Sequence, residues 1–155
     1  MSVAFRRDSD EEHKEPRFEL PLPAGPNLVT RHGLAMTEAK VAEVEAAVAA
    51  ATEDDVREML RRELRYWHTR LTTAEIAPPP NEGIVGIGSR VRIRLGNRER
   101  TIDVVGHDEA DPSADRIAFA APLAHALLGA EAGERIDFND KPEAIEVLEV
   151  TAIPE

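Results

Sequence analysis

Two stretches of the chain place an apolar residue at every third or fourth position. This spacing puts the apolar residues on one side of a helix that packs against another helix. The positions are Leu34, Thr37, Val41, Val44, Val48 and Ala51 in the first stretch, where Thr37 completes the spacing, and Leu60, Leu64, Trp67, Leu71 and Ala74 in the second. Because neither stretch can bury its apolar side alone, we predict an antiparallel helical hairpin over residues 27–77, with its second arm ending near Ile76.

The segment between the two arms is rich in carboxylates, and the hairpin places it at the tip, away from any core. The acidic residues are Glu53, Asp54, Asp55 and Glu58. Thr52 and Asp55 fit a helix capping box, and the helix macrodipole favours carboxylates in a first turn by about 0.3 to 1 kcal/mol each. Asp55 and Glu58 are three residues apart and share a helix face, where Glu58 has Arg61 or Arg62 within reach.

The chain changes character at Pro78, where three consecutive prolines end the helical pattern and predict an extended linker over residues 78–83. Beyond it, Val91, Ile93 and Leu95 alternate with arginines, as in a strand with one buried face, and Gly96 follows as a turn. Further strands are predicted over residues 101–105, 117–119, 135–138 and 144–150, with a helix over residues 122–128. We therefore predict an α+β protein whose second part is a small, mainly antiparallel sheet with one helix.

Composition narrows the classes of function. Residues 1–26 are charged and contain four prolines, which predicts a flexible tail. The net charge of −11 argues against a protein that binds nucleic acid mainly by coating its phosphates. The chain has no cysteine, no apolar signal segment, no apolar run long enough to span a membrane and no histidine pair with zinc-ligand spacing, so a cytoplasmic protein without an intrinsic metal is expected.

Three runs of the second part, residues 84–91, 105–112 and 121–129, are followed by Gly133 and Glu134. Together they resemble the carboxy-terminal domain of the bacterial transcription elongation factors GreA and GreB, and the approach to the first arm at residues 27–30 is also similar. The resemblance implies an FKBP-like domain over residues 84–155 that docks on RNA polymerase. It also implies that the hairpin enters the secondary channel of the polymerase and reaches towards the active centre.

The resemblance also implies a role for the tip. Gre factors have an Asp-x-x-Glu pair there, and the positions that match it are Asp55 and Glu58, with Glu53 and Asp54 beside them. In the family this pair helps to hold a second Mg²⁺ during cleavage of backtracked RNA, which suits the preference of Mg²⁺ for oxygen ligands. The hydrolytic centre belongs to the polymerase, so the chain is expected to be a cofactor of the polymerase rather than an enzyme, with Mg²⁺ shared and nascent RNA contacted only indirectly.

Some positions depart from the family pattern and keep a second hypothesis open. Met59 and Asp54 replace the usual Asn and Gly, and each arm is shorter by roughly ten residues, or about 15 Å. In the stretch that contacts the coiled coil at the channel rim, Ala118 and Ala120 replace polar residues and Pro122 is kept. A Gre-like factor that binds the channel and competes or inhibits without stimulating cleavage is the alternative.

Other features carry weaker hypotheses. An FKBP-like fold alone suggests a prolyl isomerase or peptide binder, but Phe119 and Phe138 are the only aromatic residues available to line its pocket. A basic strand face could meet an acidic polymerase surface or simply face water. Its residues are Arg90, Arg92, Arg94, Arg98 and Arg100. His107 and His125 lie in the family motifs without a nucleophile or metal partner, so no catalytic role is assigned to them.

Overall fold

The structure is a computed structural model and describes residues 19–154. The predicted tail over residues 1–26 lies largely outside these residues. The hairpin region consists of β1 (Leu28–Val29), α1 (Arg31–Ala50), α2 (Asp54–Thr73) and β2 (Glu75–Ile76). The C-terminal domain consists of β3 (Ser89–Leu95), β4 (Arg98–Val105), β5 (Arg116–Ala118), α3 (Pro122–Leu127), β6 (Arg135–Phe138) and β7 (Lys141–Ala152), with short 3-10 turns at His107–Glu109 and Pro112–Ala114.

The two long helices form the predicted hairpin. The Thr30 hydroxyl caps α1 by accepting a hydrogen bond from the Gly33 amide at 3.0 Å. Helices α1 and α2 pack against each other, and across the pair the Lys40 ammonium lies 5.9 Å from the centre of the Trp67 ring. Each helix has 20 residues and is therefore about 30 Å long, so its tip lies far from its base.

The base of the hairpin differs from the prediction. The second arm ends at Thr73 rather than near Ile76, and β2 pairs in parallel with β1. The ribbon is closed by hydrogen bonds from the Glu75 amide to the Asn27 carbonyl and from the Ala77 amide to the Val29 carbonyl, each 2.9 Å. This pairing holds the entry and the exit of the hairpin together, an arrangement that local periodicity does not reveal.

The C-terminal domain is built on a five-stranded sheet in the order β5-β4-β3-β7-β6. Strands β4 and β5 are parallel and the other neighbours are antiparallel. The predicted α+β class, with a helical hairpin and a mainly antiparallel sheet carrying one helix, is confirmed. No helix within residues 19–154 has the length and hydropathy needed to cross a membrane.

The core of this domain lies between the sheet and α3. Fully buried side chains come from alternate positions of β3, β4 and β7 and from α3: Val91, Ile93, Ile102, Val104, Ile145, Val147, Ala124 and Leu127. Phe119 and Phe138 pack against this core. A cavity near the start of α1 is lined by neither ring, so it does not support the isomerase hypothesis.

Candidate functional site

The acidic tip, defined here as Glu53, Asp54, Asp55 and Glu58, lies at the start of α2. A short connection over residues 51–53 joins the helices, and all four carboxylates are exposed. The predicted capping box is wrong, because the N-cap of α2 is Glu53 rather than Thr52 and no side chain caps it. The helix begins one residue later than a capping box requires. Asp54 and Asp55 therefore stabilise its N-terminus only through their interaction with the helix macrodipole.

Arg57 organises the connection at the tip. One of its amino groups donates a hydrogen bond to Asp54 Oδ1 at 2.8 Å, and the other donates to the Ala51 carbonyl oxygen, also at 2.8 Å. The guanidinium therefore neutralises Asp54 and supports the C-terminal end of α1, where unpaired carbonyls favour a cation. Sequence reasoning missed this residue, although an Arg three positions after an Asp in a helix is a recognisable pair.

Asp55 and Glu58 keep much of their binding capacity. Asp55 forms no hydrogen bond or ion pair within residues 19–154. The Glu58 carboxylate is 59% exposed and lies 3.7 Å from Arg65, rather than beside Arg61 or Arg62 as expected. Arg65 is bound more closely by Glu19, at 2.5 and 3.0 Å, which lowers the pKa of the Glu19 carboxyl. Glu58 is therefore the weaker partner of Arg65.

The tip is not a complete metal site in the isolated chain. Within residues 19–154, no three histidine, aspartate or glutamate side chains are placed to hold a metal ion together. Two exposed carboxylates on one helix face can supply hard oxygen ligands, but Mg²⁺ requires near-octahedral coordination with further ligands. An ion at Asp55 and Glu58 would therefore need ligands from a partner. Val56 and Met59 lie beside the pair as exposed apolar side chains, 39% and 50% accessible.

The segment expected to dock on the polymerase lies at one edge of the sheet. Ala118 ends β5, the outer strand, and Ala120 is exposed in the turn that follows. Pro122 is exposed at the first position of α3. The structure therefore places the three residues in one short, small-residue surface without polar side chains at those positions.

Four of the five arginines of the basic strand face are paired with carboxylates, which favours the alternative that this face simply lies in water. Arg90 forms two hydrogen bonds with Asp103, at 2.8 and 3.0 Å, and this pairing raises the pKa of the arginine. Neighbouring elements supply carboxylates to Arg92, Arg94 and Arg100, whereas Arg98 has no ion pair within residues 19–154. The ion pairs are Arg92 with Glu99 and Glu149, Arg94 with Glu99 and Glu146, and Arg100 with Asp115. Exposed pairs of this kind stabilise the sheet little but neutralise its surface.

A second polar cluster, which sequence reasoning missed, connects the hairpin to the C-terminal domain. We call it the junction and define it as Thr30, Tyr66, Arg70, Asp108 and Glu109. Asp108 accepts hydrogen bonds from Arg70 Nε at 2.6 Å and from the Tyr66 hydroxyl at 2.5 Å. Glu109 accepts them from the Thr30 hydroxyl at 2.6 Å and from Arg116 at 3.0 Å. Burial, followed by the bond to Asp108, raises the pKa of the Tyr66 phenol.

Two glycines allow the backbones to approach at the junction. A Cβ atom on Gly33 would lie 2.5 Å from a Glu109 carboxylate oxygen, and one on Gly106 would lie 2.5 Å from the Leu28 carbonyl oxygen. The motif over residues 105–112, which carried the family resemblance, therefore has a structural role: it is the part of the C-terminal domain that the base of the hairpin packs against. Beside the junction, a cavity of about 660 Å³ lies between the start of α1, the linker and the sheet, and Thr30 and Glu109 are among its lining residues.

Comparison with known proteins gives the same family for the C-terminal domain. Residues 79–153 match the family model described as transcription elongation factor, GreA/GreB, C-term. The chain is 36% identical over 92 residues to transcription elongation factor GreA of Thermomicrobium roseum, covering 57% of this chain and 58% of that protein. It is 32% identical over 102 residues to transcription elongation factor GreB of Neisseria meningitidis, covering 63% of this chain and 61% of that protein.

The matches span between 35% and 61% of the length of the curated relatives. Among solved structures, it is similar to GreA factor homolog 1 (Gfh1) of Thermus thermophilus, with a TM-score of 0.38 and 17% identity over 83% of this chain and 100% of that one. It is also similar to a GreA/GreB elongation factor of Nitrosomonas europaea, with a TM-score of 0.39 and 20% identity over 83% of this chain and 99% of that one.

Proposed function

The C-terminal domain of this chain belongs to the GreA/GreB family of transcription elongation factors, and from this premise we propose that the chain stimulates cleavage of backtracked RNA by bacterial RNA polymerase. In this proposal the C-terminal domain docks on the polymerase through the edge that includes Ala118, Ala120 and Pro122. The hairpin enters the secondary channel. Hydrolysis takes place in the polymerase, so the chain acts as a cofactor of that enzyme.

One observation carries the proposal: the hairpin presents Asp55 and Glu58, exposed and on one helix face, about 30 Å from its base. A carboxylate that already accepts strong hydrogen bonds from its own chain would have to lose them to bind an ion. Asp55 has no such partner in the described residues, and Glu58 has only the Arg65 contact at 3.7 Å. The pair is therefore available to an ion that a partner supplies.

Asp55 and Glu58 would hold Mg²⁺ jointly with ligands of the polymerase, since alone they offer too few oxygens. An ion held there would supply Lewis-acid chemistry for the hydrolysis of RNA. The residues of this chain contribute by placement. Arg57 keeps the connection closed and neutralises Asp54, which leaves Asp55 as the uncompensated carboxylate of the first turn.

The test uses a halted, backtracked elongation complex with Mg²⁺ and the full chain. Asp55→Asn/Glu58→Gln keeps the shape of both side chains and removes their charge. We expect the wild type to shorten the RNA and the double variant to lose at least 100-fold in cleavage rate, in the range found when a preorganised electrostatic group is removed. Binding of the double variant to the polymerase should be unchanged, because the docking edge is intact.

A matched control removes two carboxylates elsewhere. Glu38 lies on the exposed side of α1 and Glu82 lies in the linker, and both are exposed. Glu38→Gln/Glu82→Gln has the same net charge as the tip variant and should cleave like the wild type. A wild-type chain that binds the complex and produces no shortened RNA would overturn the cleavage proposal in favour of a factor that occupies the channel only.

A further inference from the structure

The hairpin contacts the C-terminal domain mainly through the short turn His107–Glu109. Both α1 and β1 meet this turn, and beyond Glu109, which lines it, the 660 Å³ cavity opens between the start of α1, the linker and the sheet. A hairpin that contacts the domain mainly at one turn can rotate about that turn unless the contacts there fix its orientation. The chemistry of the turn therefore decides how rigidly the tip is placed relative to the domain.

The first contact is a desolvated ion pair. The Arg70 and Asp108 side chains are only 6% and 10% exposed and lie 2.6 Å apart. Removing two charges from water is costly, and the cost is offset only while each charge keeps its partner in good geometry. Rotation of the hairpin away from the turn would separate the pair. The Tyr66 hydroxyl, bound to the other oxygen of Asp108, adds a directional hydrogen bond from the preceding turn of α2.

The second contact involves the other helix. The Glu109 side chain is 3% exposed and binds the Thr30 hydroxyl, which also caps α1. Arg116, from β5, neutralises Glu109 at 3.0 Å and ties it to the sheet. Consecutive residues of one turn therefore bind both helices of the hairpin, Asp108 at the end of α2 and Glu109 at the start of α1. Contacts to two helices define an orientation, which a single contact would not.

We propose that Asp108 and Glu109 are positioning residues that fix the direction of the hairpin relative to the C-terminal domain. The inference rests on the proposed function in one respect: loss of this direction should lower cleavage while leaving binding through the docking edge intact. The orientation itself is a property of the free chain and does not depend on that function.

The absence of cysteine in the sequence makes orientation directly measurable, since two introduced cysteines take spin labels without competition. Ala49 near the end of α1 and Thr101 on β4 are exposed and lie outside the junction. With spin labels at Ala49→Cys and Thr101→Cys, double electron–electron resonance spectroscopy should give one narrow distribution of the distance between the two labels. Asp108→Asn should broaden it, because the uncharged amide no longer balances Arg70.

The matched control is Asp115→Asn. Asp115 also pairs with an arginine, Arg100 at 2.9 Å, but both residues belong to the C-terminal domain, and within residues 19–154 neither forms a side-chain hydrogen bond or ion pair with the hairpin. This variant makes the same chemical change and should keep the narrow distribution. A folded Asp108→Asn chain with the wild-type distribution would overturn the inference. Folding is followed by helix content and by the fluorescence of Trp67, the only tryptophan.

Milder variants decide the matter if Asp108→Asn does not fold. Tyr66→Phe removes one hydroxyl and Thr30→Ser keeps both the cap and the bond to Glu109. We expect Tyr66→Phe to broaden the distribution and Thr30→Ser to leave it narrow. If both variants keep the wild-type distribution, the contacts do not fix the direction of the hairpin.

Activity then separates the two proposals. With a cleaving wild type, Asp108→Asn should bind the polymerase normally and cleave on the order of 100-fold more slowly, since misplacement by about 1 Å can have this effect. Wild-type cleavage by a variant with a broadened distribution would overturn the link between direction and activity. If the wild type itself does not cleave, the proposed function fails, and the distance measurements still test the orientation.

Discussion

The two ends of the hairpin use the same residue types in opposite ways. At the tip, Asp55 and Glu58 are exposed and weakly paired, whereas at the junction the Asp108 and Glu109 side chains are only 10% and 3% exposed and each accepts two side-chain hydrogen bonds. A carboxylate can bind an external ion only if it has no strong hydrogen-bond or ion-pair partner within its own chain. A carboxylate that holds two parts of a chain together must be desolvated and fully paired. Environment, rather than residue type, assigns the two roles.

The largest expected effect comes from breaking the buried pair at the junction. Arg70→Met keeps much of the side-chain volume but leaves the Asp108 carboxylate buried without its cation. We expect a loss of about 3 to 5 kcal/mol in the free energy of unfolding, the usual result of removing one partner of a buried ion pair. Urea titration followed by circular dichroism measures it. Arg100→Met, which breaks the exposed pair with Asp115, is the control and should cost less than about 1 kcal/mol.

The next effect concerns the close approach at Gly106. In Gly106→Ala the added Cβ would meet the Leu28 carbonyl oxygen at 2.5 Å, and backbone cannot move away as a side-chain end can. Strand β1 would move away from Gly106, and we expect the free energy of unfolding to fall by about 1 to 3 kcal/mol. Thermal unfolding checks this value. An unchanged midpoint would show that the base of the hairpin is looser than the hydrogen bonds at the junction indicate.

Loss of the Tyr66 hydroxyl should have a smaller effect. Tyr66→Phe leaves the Arg70–Asp108 pair in place and removes one hydrogen bond to a charged acceptor, which is worth about 1.5 kcal/mol or more. The packing of the ring against Trp67, edge to face with centroids 5.1 Å apart, should remain. Chemical denaturation gives the difference, and a loss no larger than that of an exposed hydrogen bond would place the hydroxyl in contact with water.

The same tyrosine gives a pH dependence. Its pKa is raised in the folded chain by burial and by Asp108, above the ordinary value of about 10. The stabilisation is therefore complete below about pH 10 and is lost as pH rises towards the folded pKa, because the unfolded chain releases the proton first. Tyr66 is the only tyrosine, so absorbance at the tyrosinate band reports it alone. We expect a late titration in the wild type and an earlier one in Asp108→Asn.

Periodicity predicted what depends on local spacing. The apolar residues three and four apart correctly gave the two helices, and alternation with a turn at Gly96 correctly gave β3 and β4. The acidic tip followed from the same reasoning, because a hairpin leaves its connection exposed. The family resemblance added the docking edge and the Asp55 and Glu58 pair as hypotheses, which no pattern of hydrophobicity could supply.

Contacts between residues far apart in sequence could not be predicted in this way. Arg70 and Asp108 are separated by 38 residues, and Thr30 and Glu109 by 79. The sequence alone does not distinguish a polar residue that is buried at such a contact from one that is exposed to water. The arginines of β3 show the same limit, since their partners lie on neighbouring strands. Their pairing reduces the net positive charge of this face, which the sequence alone could not show.

The smallest expected effect on stability is at the tip, where the proposed effect on activity is greatest. Asp55→Asn/Glu58→Gln removes a macrodipole contact and the distant Arg65 contact, so the free energy of unfolding should change by about 1 kcal/mol or less. Added Mg²⁺ should stabilise neither the wild type nor the variant, because the chain alone offers too few ligands. Clear stabilisation of the wild type by Mg²⁺ would show a complete site at the tip. The contrast between a tip open to a partner and a junction closed on itself would then fail.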